Sequence, residues 1–298
     1  MLVAVFGTKL DSKYRMKLES LFALLKSKGV SLCYYRKVYD VLRNQMELYL
    51  PDGEVFDSYD NLPAGTTHVL VLGGDGTFLN SLSLIKSKPI AVAGVNLGRV
   101  GFLTSVVLDE KIDSWLDELI SGDYKIEHRL IMQLHSTSGK DIEYPYALNE
   151  IAFQRNSPSM LGIEISIDGD DVPIYWADGL LIATPTGSTA YSLSVGGPIV
   201  KPGSNVFIIA PVAPHNLNVR PLIVPDTSVI KVKLHCRSSK ALLSVDSNSF
   251  TIDADEMFEL KKADFKLNYI SSSSCNFFEV LREKLFWGED KRNNDEDS

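Results

Sequence analysis

"VLGGDGTFLNSL", Val71–Leu82, sets two glycines, an aspartate and a third glycine between an apolar run and an amphipathic one. The residues before it complete a fully apolar strand, "THVLVLGG" (Thr67–Gly74), of the kind a parallel sheet covers on both faces. "TFLNSLSLIKS" then has helical spacing. Strand, glycine turn and helix in that order predict one β-α unit of an open α/β sheet. The glycines admit positive φ and let a second backbone or a ligand come close. Free amides at such a turn suit phosphate. Asp75 is out of place there, because a carboxylate repels phosphate unless it takes a proton or holds a metal. Two readings stay open. Asp75 caps the helix of an ordinary tight turn, or it serves phosphoryl transfer as base or metal partner. Neither a Walker loop nor GxGxxG is present.

Outward from that turn, the first third of the chain alternates strand and helix. "LVAVFG" and "SLCYY" read as strands, and "PIAVAGVN" as another buried one. "KYRMKLESLFALLKSKG" places Met16, Leu18, Leu21, Phe22, Leu24 and Leu25 at helical spacing and stops at Gly29. "VYDVLRNQMELYL" and "DEKIDSWLDELISGD" read as helices, the second closed by Gly122. After about Tyr124 the texture changes to short alternating strands with Ser-Gly-Lys-Asp and Gly-Asp turns. We therefore expect a doubly wound α/β domain over 1–123 and a mostly antiparallel all-β domain over 124–264. "FFEVLREKLFWGED" reads as a last helix, and 288–298 as a disordered polar tail.

Four further stretches carry candidate chemistry. "DGLLIATPTGSTAYSLSVGGPIV" (Asp178–Val200) gathers hydroxyl and glycine residues in Thr184–Thr189, a donor-rich loop for phosphate or the polar edges of a nucleoside. Its bland alternative is a Pro-Gly turn with Ser188 or Thr189 capping a helix. In "ALNEIAF", Asn149 and Glu150 are neighbours in a strand, so they face opposite sides and one points inward, the bland alternative being a strand-end bulge. "NLGRVGFL" (Asn96–Leu103) follows a buried strand, at the sheet edge where open α/β folds bind ligands. "APVAPHNLNVRPLIVP" holds His215 and Arg220, the latter read as an internal brace.

Bulk properties narrow the classes. The 298 residues are 45% hydrophobic, enough for two domains, and a net charge of −8 argues against a general nucleic-acid binder. Cys33, Cys236 and Cys275 are widely spaced without a CxxC, as expected of a reducing compartment. No signal-peptide pattern and no apolar run of ~20 residues occurs, so a soluble cytoplasmic protein is expected.

Taken together, "GGDGT" (Gly73–Thr77), "NE" (Asn149–Glu150), "DG…TPTGSTAY" (Asp178–Tyr191) and "GGPI" (Gly196–Ile199) resemble the NAD kinase family in content and order. "NLGRVGFL" and "PHNLNVRPL" resemble two more of its stretches, and the likeness runs from about Leu2 to Phe286. It implies a phosphofructokinase-like α/β domain, a β domain that binds the dinucleotide, and a C-terminal segment, 265–287, whose helix folds back to join the α/β domain. The implied reaction moves the γ-phosphoryl group of ATP, with Mg²⁺ or another divalent cation, to the 2′-hydroxyl of the adenosine ribose of NAD. By resemblance Asp75 is the catalytic aspartate, and Gly73, Gly74, Gly76, Thr77, Asn96 and Phe102 line the substrates. Asn149 and Glu150 hold the dinucleotide through ribose and amide contacts. Asp178, Thr186, Ser188, Thr189, Ala190, Tyr191 and Ser194 frame its ends. The family is usually dimeric or tetrameric, with no nucleic-acid or membrane partner. One departure is Asp246-Ser247-Asn248, where the family often has glutamine third, which puts a ligand role for Asn248 in question. GGDGT alone also occurs in diacylglycerol and sphingosine kinases, so a lipid or polyol kinase, or a non-catalytic dinucleotide sensor, remains a rival.

Overall fold

A computed structural model describes residues 1–98, 101–236, 239–271 and 276–286. The tail 288–298 expected to be disordered, Arg99 and Val100 of the Asn96–Leu103 stretch, and Cys275 lie outside the described residues. The chain forms two compact units, Met1–Glu127 with the described residues from Asn268, and His128–Leu267.

The first unit is built on strands β1 (Leu2–Phe6), β2 (Ser31–Tyr35), β3 (Gly53–Phe56), β4 (Thr66–Leu72), β5 (Ala91–Asn96) and the short β6 (Val106–Val107). They pair in parallel in the order β5-β4-β1-β2-β3, with β6 beside the end of β5. Between them run α1 (Arg15–Ser27), α2 (Arg36–Asp40), α3 (Asp75–Ser81) and α4 (Ile112–Ser121). Val3, Val5, Leu70, Leu72, Ala91, Ala93 and Val95 share one core with the helices. The alternate residues Ala4, Phe6, Val69, Val71 and Val92 are equally buried, so the sheet is covered on both faces. Because all these strands run the same way, the loops leaving β4 and β5 emerge at the same edge.

Two local expectations change. Met16 is 80% exposed, since it lies about 200° around the helix from Leu18, while Leu18, Leu21, Phe22 and Leu25 form the buried stripe. The helix expected over Val38–Leu50 stops early: α2 passes into a wider turn at Val41–Gln45, and Glu47 takes φ 53°. Met46, Leu48 and Leu50 are buried at a period of two, which only non-helical chain can satisfy.

The second unit holds most of β7 (Lys125–Ser136), then β8 (Tyr146–Ala147), β9 (Glu150–Arg155), β10 (Leu161–Ile167), β11 (Asp170–Ala177) and β12 (Gly179–Ala183). A single-turn helix α5 (Tyr191–Ser194) follows, then β13 (Val206–Val212), β14 (Leu222–Pro225), β15 (Ile230–His235), β16 (Lys240–Val245), β17 (Asn248–Asp253) and β18 (Met257–Ser271). From Asn268 β18 belongs to the first unit, as does the last helix α6 (Phe277–Leu285). One antiparallel sheet runs β14-β13-β12-β9-β16-β17. The other contains β11-β10-β15-β18. Their inner faces share a core in which Phe153 meets Phe258 at 5.3 Å between ring centres.

The centre of the outer face of the six-stranded sheet is also buried. Ala152, Leu181, Ala183, Ile208 and Ala210 lie under Tyr191, Val195 and Val200 of the segment that follows β12. That cover depends on Gly187, where a Cβ would stand 2.1 Å from the Asn149 carbonyl oxygen. Gly187→Ala is therefore expected to destabilise the second unit by about 1–3 kcal/mol, the usual range for overpacking. Thermal unfolding checks it, and an unchanged melting temperature would contradict the packing described.

Candidate functional site

Residues of the first unit converge on the β4–α3 turn. Gly73, at φ 149°, donates its N–H to the Val95 carbonyl at 3.0 Å, and Gly74 enters α3 in extended conformation. Asp75 is the first helical residue, and its side chain does not cap α3. The capping reading of Asp75 is thereby replaced. Its carboxylate instead turns to the segment after β5 and accepts four hydrogen bonds. Phe102 N–H donates to Oδ2 at 2.8 Å. Leu103 N–H and Thr104 N–H reach Oδ1 at 3.1 Å each, and the Thr104 hydroxyl reaches it at 2.9 Å. Asn96 donates from Nδ2 to Thr104 Oγ1 and accepts at Oδ1 from Gly98 N–H. Asp75, Asn96 and Phe102 are thus brought together, Phe102 through its backbone. Thr77 lies against Gly73. Gly74 and Gly76 are exposed, and a Cβ on either would meet no protein atom within 4 Å. Nothing in the fold requires glycine there, so the clearance is left to whatever docks on the turn.

In the second unit the organising residue is Asp246, at the β16–β17 hairpin with φ 50°. Its carboxylate accepts from Leu148 N–H and Asn149 N–H at 2.8 Å and from Glu150 N–H at 3.0 Å. Burial raises its pKa to about 6 against the lowering effect of those amides. Asn149 is buried. Glu150 Oε2 is buried without a hydrogen-bond partner. Burial first, then the neighbouring Asp246 charge, push the Glu150 pKa up to about 8, while the Tyr191 N–H works the other way. A buried carboxyl with an empty acceptor oxygen is a poor structural residue and a good receptor for a hydroxyl.

The loop after β12 is sewn onto this dipeptide. Thr184 N–H donates to the Asn149 carbonyl at 2.9 Å, and its hydroxyl donates to the Leu148 carbonyl. Ser188 Oγ lies between the Pro185 and Val200 carbonyls and accepts from Val200 N–H, so this buried hydroxyl is committed to the fold. Thr186 is buried, Thr189 Oγ1 donates to its carbonyl at 3.3 Å, and Ala190 is half-buried. The Tyr191 hydroxyl accepts from Gln154 Nε2 at 3.0 Å, and Ser194 is exposed on α5. Asp178 is held from two sides by Arg155, whose Nε and Nη2 reach its two oxygens at 3.0 and 3.1 Å. His215 is exposed, and Arg220 donates to the Leu217 and Val219 carbonyls, a brace of its own loop. Asn248 is exposed in the hairpin. Sequence reasoning missed Asp246, Thr104 and Arg155. Only the Asp-Ser-Asn departure drew notice to the hairpin, and Arg155 meets Asp178 through strand pairing that no short-range spacing reveals.

Comparison with known proteins now decides the family. Residues 35–124 match the ATP-NAD kinase N-terminal domain and residues 148–272 the ATP-NAD kinase C-terminal domain. The chain belongs to the NAD kinase family. It is 39% identical over 290 residues to the NAD kinase of Bacteroides fragilis, covering 97% of this chain and 99% of that one. Over 298 residues it is 38% identical to the NAD kinase of Flavobacterium psychrophilum, covering 98% and 100%. Among solved structures, yeast NADH kinase complexed with NADH superposes with a TM-score of 0.86 at 26% identity, covering 97% of this chain and 89% of that one. An NAD kinase from Archaeoglobus fulgidus in complex with ATP gives 0.72 at 26%, covering 95% and 99%. The α/β and antiparallel β architecture is that of NAD kinases, and the GGDGT turn and the Asn149–Glu150 pair fall in the two matched domains.

Glu150 makes stability depend on pH. Folding raises its pKa from 4.5 to about 8, so between those values the native state holds a proton that the unfolded chain has lost. Stability therefore falls as pH rises through that window, and Asp246 adds to the fall over its lower part. Relative to wild type, the melting temperature of Glu150→Gln is expected to rise from about pH 5 to about pH 8. Parallel melting curves against pH would contradict it.

Proposed function

We propose that Asp75 receives the proton of the acceptor hydroxyl, while Asn149, Glu150 and the Thr184–Tyr191 loop hold the dinucleotide. The reaction is that of NAD kinases: the γ-phosphoryl of ATP passes to the 2′-hydroxyl of the adenosine ribose of NAD, giving NADP and ADP. The observation that carries the assignment to Asp75 is its place, a carboxylate at the mouth of a turn whose exposed Gly74 and Gly76 leave room for a ligand. Phosphoryl transfer has a loose transition state in which the attacking hydroxyl becomes acidic late. An aspartate suits that step as an acceptor that orients the hydroxyl and takes its proton at the end. The NADH-bound and ATP-bound neighbours support binding of a dinucleotide and of ATP by this chain. On the dinucleotide side, the unpartnered Glu150 Oε2 supports a hydrogen bond from a ribose hydroxyl.

Among the described residues no group of three or more His, Cys, Asp or Glu is assembled to hold a metal ion. Asp75 is surrounded by donors, an arrangement unsuited to a cation ligand. The described residues do not form a cage for Mg²⁺, so the divalent ion expected from the family would be carried by the ATP phosphates. No helix among the described residues is long and apolar enough to cross a membrane. Exposed Leu222 and Ile223 on the edge strand β14 support a homo-oligomer.

Asp75→Asn is expected to keep NAD affinity within a few-fold and to lower turnover by about a hundredfold or more. Steady-state NADP formation beside NAD titration checks it. A near-normal rate would remove Asp75 from the mechanism.

A further inference from the structure

We propose that Thr104 is a positioning residue for phosphoryl transfer, filling Oδ1 of Asp75 through a hydrogen-bond chain of fixed direction and leaving Oδ2 to meet the acceptor hydroxyl. This rests on the role given to Asp75 above.

The direction follows from counting protons. Gly98 N–H donates to Asn96 Oδ1 at 2.9 Å, which turns the Asn96 amide so that its NH₂ group points to Thr104. Asn96 Nδ2 then donates to Thr104 Oγ1 at 3.0 Å. A threonine hydroxyl carries one proton. Asn96 has none of its acceptor capacity on that side, so the proton goes to Asp75 Oδ1, 2.9 Å away. Oδ1 also receives the Leu103 and Thr104 amides. A carboxylate oxygen offers about two lone-pair sites, and three donors fill it. Oδ2 receives Phe102 N–H alone and keeps a site for one more donor. The two oxygens of one carboxylate are thereby made unequal, one structural and one reactive.

Thr104 is fully buried, and its hydroxyl is not needed to close the loop. Three backbone amides already tie that segment to Asp75, and Gly101 N–H donates to the Thr104 carbonyl at 2.9 Å. What the hydroxyl adds is a third donor on Oδ1, shorter than the two amides at 2.9 against 3.1 Å, which concentrates the free acceptor capacity of the carboxylate on Oδ2. Directing the acceptor in that way acts on turnover and leaves ground-state binding largely alone.

The experiment measures kcat and KM for NAD and ATP in wild type, T104V, T104S, N96D and D75N, each checked by thermal unfolding. T104V keeps the volume and loses the hydroxyl, whereas T104S keeps it. N96D leaves Asp75 untouched and puts an acceptor where a donor stood, so that two carboxylates contend for the Thr104 proton. T104V and N96D are expected to lose about ten- to a hundredfold in kcat with KM for NAD nearly unchanged, and T104S to stay close to wild type. Normal kcat in folded T104V, or in N96D should T104V fail to fold, overturns the proposal. So does N96D that raises KM at full kcat, the signature of Asn96 as a substrate ligand. An active D75N overturns it by removing Asp75 from the reaction. A wild type that forms no NADP overturns the kinase assignment itself, and this proposal with it.

Discussion

A carboxylate that accepts three consecutive backbone N–H groups occurs once in each unit, and the candidate residues of each unit depend on it. Amides in irregular chain have no ladder partner, and leaving them buried and unpaired is costly. Asp75 gathers the amides of Phe102, Leu103 and Thr104 in the first unit, and Asp246 those of Leu148, Asn149 and Glu150 in the second. Each aspartate fixes a loop that no helix or strand would hold. The two differ in what is left over. Asp75 keeps an acceptor position open at the GGDGT turn, whereas Asp246 is consumed and passes its effect to Glu150.

That difference has an electrostatic side. Asp246 and Glu150 are two carboxyl groups in one desolvated place, and both are harder to ionise than usual, at about 6 and about 8. A scaffold built for stability alone would not keep Glu150 Oε2 buried and unpartnered. Ligand binding is the natural relief of such a group, since an incoming hydroxyl supplies the missing hydrogen bond. The β12 loop fixes the dipeptide from the other side, with Thr184 and Gly187 pressed onto the Leu148–Asn149 backbone.

The strands and their class were legible because burial on both faces leaves unbroken apolar runs, as in Val69–Leu72 and Gly179–Ala183, and half-burial leaves alternation. The GGDGT, Asn-Glu and TPTGSTAY stretches stood out because they place polar and glycine residues where packing alone would put apolar ones. Illegible were the contacts that depend on distant chain. Asp246 lies 96 positions from Glu150, and nothing local marks it as the partner of those amides. Thr104 reads as one more small residue in a loop, its importance arising only when Asn96 and Asp75 close on it. At Met46–Leu50 a helical reading lost to burial of alternate residues, a case of tertiary packing overriding local spacing. Ser188 shows the reverse hazard, a motif hydroxyl expected to face a ligand that is spent on the Pro185 and Val200 backbone.

The central claim is that this chain uses ATP to phosphorylate NAD. The most direct test is NADP formation by the purified chain with NAD, ATP and a divalent cation, omitting each in turn and measuring ADP alongside. The account predicts NADP and ADP in equal amounts, and neither when NAD or ATP is left out. No NADP from a sample that still binds NAD, or NADP formed without ATP, would contradict it.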